Sequence, residues 1–173
     1  DFLHRNEHSI EFQVLFLQHL FNGTAPAPVL PVLCTSFHEM MMAGIDPCED
    51  ARVSGFMGAL EEAVGGRSAC WIAGVDLAHV GKKFGDDHMP DESERARIER
   101  GDREMMSYAE KMAPAGFFRS VCADMNARKV CGVSAIYVFL QMCGAQRGRM
   151  LDYQQMIDNM SGSIVSYTGM VFD

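Results

Sequence analysis

The amino-acid sequence predicts an α/β fold, arranged as a three-layer sandwich around a mixed central sheet. Apolar, strand-like runs alternate with helical patterns along most of the chain, which closes with two strand-like runs joined by turn residues. The length of 173 residues and the 48% hydrophobic content fit one domain with a substantial buried core. We therefore expect residues 1–173 to form a single domain.

The first helix is predicted from about Glu7 to Asn22, ended by Gly23 and the Pro26/Pro28 segment. Its apolar residues recur at helical spacing and are Ile10, Val14, Leu17 and Phe21. This spacing predicts that one face of the helix packs into a core.

Two apolar runs predict strands. Residues 28–34 are apolar and β-branched, and Pro31 indicates that this strand lies at an edge or starts late. Residues 69–75 form a short apolar run between turn residues, which predicts a central strand buried on both faces. This strand would deliver Asp76 and His79 to its carboxyl end, where open α/β sheets bind ligands.

The other elements follow from caps, periodicity and turn residues. Between the two strands, Asp46 and Pro47 predict the start of a helix that ends at Gly65. Residues 81–90 form a polar loop long enough to cover a site. The remaining predictions are a helix with a charged, solvated face over residues 91–111, a helix opened by Pro114, a buried helix over residues 133–143, and a hairpin of strands over residues 149–157 and 163–172.

Charge and cysteine content exclude several classes of protein. Fifteen basic against 23 acidic residues give a net charge of −8, which argues against nucleic acid or an anionic membrane as partner. Six cysteines without a CxxC pair predict a reducing, cytoplasmic compartment. No apolar run reaches the roughly 18 residues that span a bilayer. Because the chain opens on Asp1 without an initiator Met, we expect it to begin inside a longer protein.

His8 is the first candidate for chemistry, since it stands between Glu7 and Glu11 at the predicted start of a helix. Such loop-to-helix junctions present functional side chains, and their free N–H groups favour anions. The alternative is a histidine that only caps or packs at the helix start.

Three further residues complete the candidate site. Cys131 precedes a predicted helix whose dipole favours a thiolate, although a buried and inert cysteine is the alternative. Asp76 and His79 form a candidate acid–base pair in which the carboxylate orients the imidazole. In the alternative, Asp76 caps the following turn and His79 only lies nearby. With His8, this set of imidazole, carboxylate and thiolate can bind Zn, Fe or Cu, yet its spacing matches no compact metal motif.

The segment Arg5-x-Glu7-His8-Ser9-Ile10-Glu11-x-Gln13, followed by Leu17-Gln18, resembles the signature of the MEMO family, also called AmmeMemoRadiSam system protein B. Three further blocks agree in order: Asp76-Leu77-x-His79, Cys131-Gly132, and a last hairpin with Tyr153 and Gly162-Ser163-x-Val165-x-Tyr167. The resemblance runs from Asp1 to Asp173 and corresponds to about the latter two-thirds of a usual family member. We therefore expect a single MEMO-like domain that lacks the N-terminal part of the family fold.

The resemblance implies a fold similar to class III extradiol ring-cleaving dioxygenases and a pocket with two histidines and a cysteine. His8 would be one histidine ligand and Cys131 the thiol, while the other histidine belongs to a block before Asp1. His79, with Asp76 beside it, would be the acid–base pair. The implied cofactor is a divalent transition metal, Fe, Cu or Zn, and the thiol shifts the preference from Fe(II) toward Cu or Zn.

Two functions of different class remain open. One is a metal-dependent oxidoreductase related to the dioxygenases. The other is a non-catalytic binding protein that captures a peptide or small molecule in the same pocket. Serines usual around the Asp-x-x-His block are replaced by Ala73, Gly74, Val75 and Ala78, and the thiol together with these surroundings favours loss of classical ring cleavage. The family resemblance also implies a radical-SAM protein and an AMMECR-type protein as partners.

Overall fold

The computed structural model describes residues 7–23 and 28–173, so Arg5 of the signature and Pro26 of the predicted helix end lie outside the described residues. Within them, 47% of residues are helical and 13% lie in strands, which makes the fold a mixture of helices and a small antiparallel sheet. The helices are α1 (His8–Leu20), α2 (His38–Ala43), α3 (Ala51–Val64), α4 (Glu92–Glu110), α5 (Pro114–Cys122) and α6 (Val133–Met142), and the strands are β1 (His79–Val80), β2 (Gly148–Ile157) and β3 (Ile164–Phe172).

The sheet is built on the predicted hairpin, which the structure confirms. Strands β2 and β3 pair antiparallel from Gly148 opposite Phe172 to Ile157 opposite Ile164. The two-residue strand β1 pairs antiparallel with the other edge of β3, His79 opposite Val165, so the strand order is β1-β3-β2. A strand that carries His79 is therefore hydrogen-bonded directly to the hairpin.

Helices α4, α5 and α6 supply most of the core against this hairpin. Phe117 and Tyr137 are fully buried, and Phe118 packs edge-on against Tyr137 with ring centroids 6.0 Å apart. Helix α4 buries one apolar face through Ile98, Met105, Met106 and Ala109. Its other face carries exposed ion pairs such as Arg103 to Glu99 at 2.7 Å, which confirms the predicted solvated, charged face.

The two predicted buried strands are absent from the described part of the chain. Residues 28–34 and 69–75 carry no strand, and Val29, Leu30 and Ile72 are about half exposed or more. An apolar run shows a preference for burial, whereas a strand also requires neighbours on both sides to pair with its backbone. The prediction of a mixed sheet is therefore not met by residues 7–23 and 28–173, whose sheet is antiparallel.

Helix α1 forms as predicted but packs less deeply. Glu7 caps it by accepting a hydrogen bond from the Ser9 N–H at 3.2 Å. Ile10 and Val14 are half-buried, and no residue of the helix is fully buried. The opposite face exposes a set of large apolar side chains, Phe12, Leu15, Phe16 and Leu20.

The helix predicted to start at Asp46 begins later. Asp46 caps a single 3-10 turn, Pro47–Glu49, and Asp50 then caps α3 by accepting from the Arg52 N–H at 2.8 Å. Helix α3 ends before Gly65, as predicted. None of the described helices combines the length and apolarity that crossing a membrane requires.

Candidate functional site

The segment that carries Asp76 and His79 is fixed through its middle. Leu77 and Ala78 are buried, and both bond to Ser166 of β3: the Leu77 N–H donates to the Ser166 carbonyl at 2.8 Å, and the Ser166 N–H donates to the Ala78 carbonyl at 3.0 Å. The Ser166 hydroxyl also accepts from the Ala78 N–H at 2.8 Å. These bonds set the direction in which the flanking Asp76 and His79 side chains leave the backbone.

Asp76 and His79 lie together, as their spacing predicts. The Asp76 Oδ2 lies 3.9 Å from the His79 Nε2, an ion-pair distance longer than a hydrogen bond. The His79 Nδ1 lies 3.1 Å from the Leu77 carbonyl. A carbonyl can only accept, so Nδ1 carries the proton in the neutral ring and Nε2 is left as the proton acceptor. The Asp76 carboxylate is the acidic group that faces this nitrogen.

Cys131 is brought to the same segment. Its N–H donates to the Leu77 carbonyl at 3.3 Å, and its thiol donates to the Asp76 carbonyl at 3.5 Å. Gly132 makes this approach possible: a Cβ there would lie 2.8 Å from the Val75 Cβ and 2.9 Å from the Asp76 carbonyl oxygen. The structure thus joins residues 76–79 to residues that lie more than 50 positions away in sequence.

Cys131 is an exposed residue whose thiol is partly desolvated where it lies against the Asp76 segment. Burial raises the pKa of this thiol, and the Asp76 and Glu7 carboxylates raise the pKa further. This desolvation acts against the thiolate that the start of a helix favours, so a thiolate at Cys131 stays a prediction.

His8 occupies the first turn of α1, which packs on the segment before Asp76. A Cβ on Gly74 would lie only 2.7 Å from the Ser9 carbonyl oxygen, so the two backbones are in close contact. The His8 side chain itself is 75% exposed, and its Nδ1 lies 3.0 Å from the Glu11 carboxylate. The structure places the His8 turn beside the Cys131 segment, with the imidazole facing solvent.

The loop over residues 81–90 covers one side of His79, as its length suggested. The ring of Phe84 packs edge-on against the His79 ring with centroids 4.9 Å apart. Lys129 anchors this loop by donating to the Phe84 carbonyl at 2.9 Å and to the Asp86 carboxylate at 2.6 Å. The same ammonium group lowers the pKa of Asp86. Sequence reasoning missed both Phe84 and Lys129, since neither spacing nor composition singles them out.

Two buried charges near the site were also missed. Asp102, on the charged helix α4, is fully buried and bonds to Ser166, while Arg128 is buried three residues before Cys131. A run of alternating charges predicts a solvated helix, so it conceals a carboxylate that faces inward. The available signal was Gly101, a helix-weakening residue directly before Asp102.

His8 and Cys131 are the candidate ligands of a divalent metal. An imidazole and a thiol suit Zn or Cu, and structural or catalytic sites use three or four protein ligands. Residues 7–23 and 28–173 contain no group of three or more His, Cys, Asp or Glu that could hold a metal ion. Within this part of the chain, His8 and Cys131 are therefore donors of the right chemical type for Zn or Cu, but they supply two ligands where such a site uses three or four.

Comparison with known proteins gives a consistent result. A family model described as Memo-like protein matches residues 1–171. A MEMO1 family protein of Aquifex aeolicus (strain VF5) is 31% identical over 98% of this chain. The alignment covers 41% of that relative, so the chain spans about two-fifths of the relative's length, less than the two-thirds expected from the resemblance.

Proposed function

This chain belongs to the Memo-like protein family, and on that premise we propose that the two bonded segments that carry Asp76, His79 and Cys131 form a metal-dependent oxidoreductase site. His8 and Cys131 serve as two of its metal ligands. The observation that carries the proposal is the hydrogen bond from the Cys131 thiol to the Asp76 backbone carbonyl, which brings a soft metal ligand to the segment that carries the imidazole–carboxylate pair.

The chain's own residues divide the work. A metal of the Fe, Cu or Zn class supplies Lewis acidity and, for Fe or Cu, redox chemistry. His79 accepts a proton at Nε2, because Nδ1 is committed to the Leu77 carbonyl. Asp76 stabilises the protonated ring at 3.9 Å. Phe84 excludes water from one side of the imidazole, which strengthens that interaction.

The proposal extends to the fold, the cellular compartment and the partner proteins. Family membership and the mixed helix and sheet content support a three-layer sandwich similar to class III extradiol dioxygenases. All six cysteines are free thiols, which supports a reducing, cytoplasmic compartment. A radical-SAM protein and an AMMECR-type protein are the proposed partners.

The test of catalysis is oxygen uptake by the metal-loaded, full-length protein with catechol-like and other small substrates. We expect metal-dependent uptake in the wild type, and a loss of about 10²-fold or more in His79→Ala with metal content unchanged. The rate of oxygen uptake in Asp76→Asn should lie between those of wild type and His79→Ala, because the His79 Nε2 is still present and only the carboxylate beside it is removed. Uptake that is equal in wild type and His79→Ala would contradict the assigned role.

A binding function without catalysis is the second candidate. It is favoured by the raised pKa of Cys131 and by the shortage of metal donors in residues 7–23 and 28–173. In that case the site captures a peptide or small molecule, and the Cys131 thiol contacts it in the uncharged form. Binding of such a ligand that persists in His79→Ala and in the presence of a chelator would favour this function over the oxidoreductase.

A further inference from the structure

Asp102 sits in an unusual place for a carboxylate. Although it belongs to the charged helix α4, its side chain is fully buried. Its Oδ2 accepts hydrogen bonds from the Tyr153 hydroxyl at 2.9 Å and from the Ser166 hydroxyl at 2.5 Å. Its Oδ1 lies 3.2 Å from the Arg128 Nε, an ion pair whose arginine side chain is 9% exposed. Three elements and a loop therefore converge on one carboxylate.

Ser166 connects Asp102 to the segment that carries His79. The hydroxyl that donates to Asp102 also accepts from the Ala78 N–H at 2.8 Å. The Ser166 backbone holds Leu77 and Ala78 by two further hydrogen bonds. A displacement of the Ser166 hydroxyl therefore alters a hydrogen bond to Ala78, the residue directly before His79.

Arg128 connects Asp102 to the other half of the site. Its carbonyl accepts a hydrogen bond from the His79 N–H at 2.8 Å, while its guanidinium pairs with Asp102. Three residues later, the Cys131 N–H donates to the Leu77 carbonyl. The backbone between Arg128 and Cys131 is thus bonded to the backbone between Leu77 and His79 at both ends.

Gly101 shows that the chain makes room for this contact. A Cβ at position 101 would lie 2.0 Å from the Arg128 Nη1, so any larger residue would displace the guanidinium. Glycine costs about 1 kcal/mol relative to alanine inside a helix. Arg128 reaches Asp102 because α4 has a glycine, which disfavours a helix, where the guanidinium passes over it.

We propose that Asp102 is a positioning residue, which sets the placement of His79 and Cys131 through Ser166 and Arg128. Buried ion pairs contribute little net stability compared with apolar packing, because desolvation offsets their attraction, but they can select one arrangement of the elements that they join. Here the elements so joined are the two short segments of the candidate site. The proposal rests on the proposed function only in assigning His79 and Cys131 to that site.

The test uses the metal-free, full-length protein and two residue-resolved measurements at one fixed pH. The first is the alkylation rate of Cys131, followed by mass spectrometry of its peptide, with Cys48 and Cys70 as internal controls. The second is the ring chemical shift of His79 in a ¹H–¹³C NMR spectrum. In Asp102→Asn we expect Cys131 to react roughly fivefold faster or more and the His79 signal to move, because both segments lose one anchor.

Two further variants keep the test decisive if Asp102→Asn folds poorly. Ser166→Ala removes only the hydroxyl link and should change both signals in the same direction. Ser120→Ala is its control, since that hydroxyl donates to the Phe117 carbonyl within its own helix α5. The Ser120 variant should leave Cys131 and His79 as in the wild type. Unchanged signals in Ser166→Ala, or equal changes in Ser120→Ala, would overturn the proposal.

The outcome is separable from that of the proposed function. A wild-type protein that binds no metal would remove the oxidoreductase proposal and leave the alkylation and NMR comparisons intact. Conversely, metal binding with unchanged Cys131 and His79 signals in Asp102→Asn and Ser166→Ala would remove the positioning role alone.

Discussion

At the scale of single residues, the site depends on one close backbone approach. Gly132 faces Val75 and the Asp76 carbonyl at distances that leave no space for a side chain. The contact brings the Cys131 thiol to Asp76 and, through residues 76–79, to His79. Packing therefore requires a glycine in this position. Its backbone conformation does not, because other residues adopt that conformation too.

Gly132→Ala should lower the free energy of unfolding by about 1–3 kcal/mol, because the added Cβ overpacks the contact with Val75. It should also speed alkylation of Cys131, whose hydrogen bond to Asp76 would be lost. Gly169→Ala is the control, since a Cβ at position 169 meets no atom within 4 Å. Chemical denaturation of both variants measures the difference. Equal stability of Gly132→Ala and wild type would show that the two backbones can separate without loss.

At the scale of secondary structure elements, α4 has two faces that follow different rules. Exposed charges pair along its outer face, as with Arg103 and Glu99, and contribute little to stability. The inner face combines apolar residues with Asp102, whose position depends on the space above Gly101. Substitution at Gly101 therefore separates helix propensity from packing.

Gly101→Ala should destabilise the protein by about 1–3 kcal/mol, since it expels the Arg128 guanidinium from a packed site. Helix propensity alone predicts the opposite sign, a gain of about 1 kcal/mol. Gly55→Ala on α3 is the matched control, because a Cβ there meets nothing within 4 Å and should give that gain. Unfolding in denaturant gives both values. Stabilisation of Gly101→Ala would mean that Arg128 moves aside freely.

The turn between β2 and β3 provides a prediction on pH. Ser161 and Lys83 bond to the Asp158 carboxylate and lower its pKa well below the ordinary value. A lowered pKa in the folded state adds stability above the unfolded-state pKa of about 3.9, and this is lost as the pH falls through the folded-state pKa. The melting temperature of wild type should exceed that of Asp158→Asn at pH 5–7, with the gap closing below about pH 4. A gap that is constant or widens in acid would contradict this account.

The helices and the hairpin were predictable because their signals are local. Caps, apolar spacing and turn residues fixed α4, α5, α6 and the β2–β3 hairpin to within a few residues. Strands at residues 28–34 and 69–75 were predicted from apolarity, yet strand formation depends on partners that a local pattern does not specify. The late start of α3 has a local cause, since Asp50 offers a second cap after Asp46.

The candidate site was predictable in part for the same reason. Asp76 and His79 are three residues apart, so their proximity follows from sequence once the strand end is located. The approach of Cys131 to Asp76 crosses 55 positions and came from the family resemblance alone. The buried Asp102–Arg128 pair was not predicted, because its burial depends on tertiary packing against β2 and β3.

At the scale of the whole molecule, the chain is acidic, Memo-like over nearly all of its length, and two-fifths the length of its Aquifex aeolicus relative. The central claim is that one pocket joins His8 and Cys131 as metal ligands to His79 and Asp76. The proposal requires a further ligand beyond the pair that residues 7–23 and 28–173 supply. The whole protein is therefore the object to measure.

The most direct test is elemental analysis of the anaerobically purified, full-length protein beside His8→Ala and Cys131→Ala, with Cys70→Ala as a control for an exposed cysteine. The account predicts about one divalent metal per chain in the wild type and in Cys70→Ala, and loss of that metal in both ligand variants. A wild-type protein without metal, or metal retained in His8→Ala and Cys131→Ala, would contradict it.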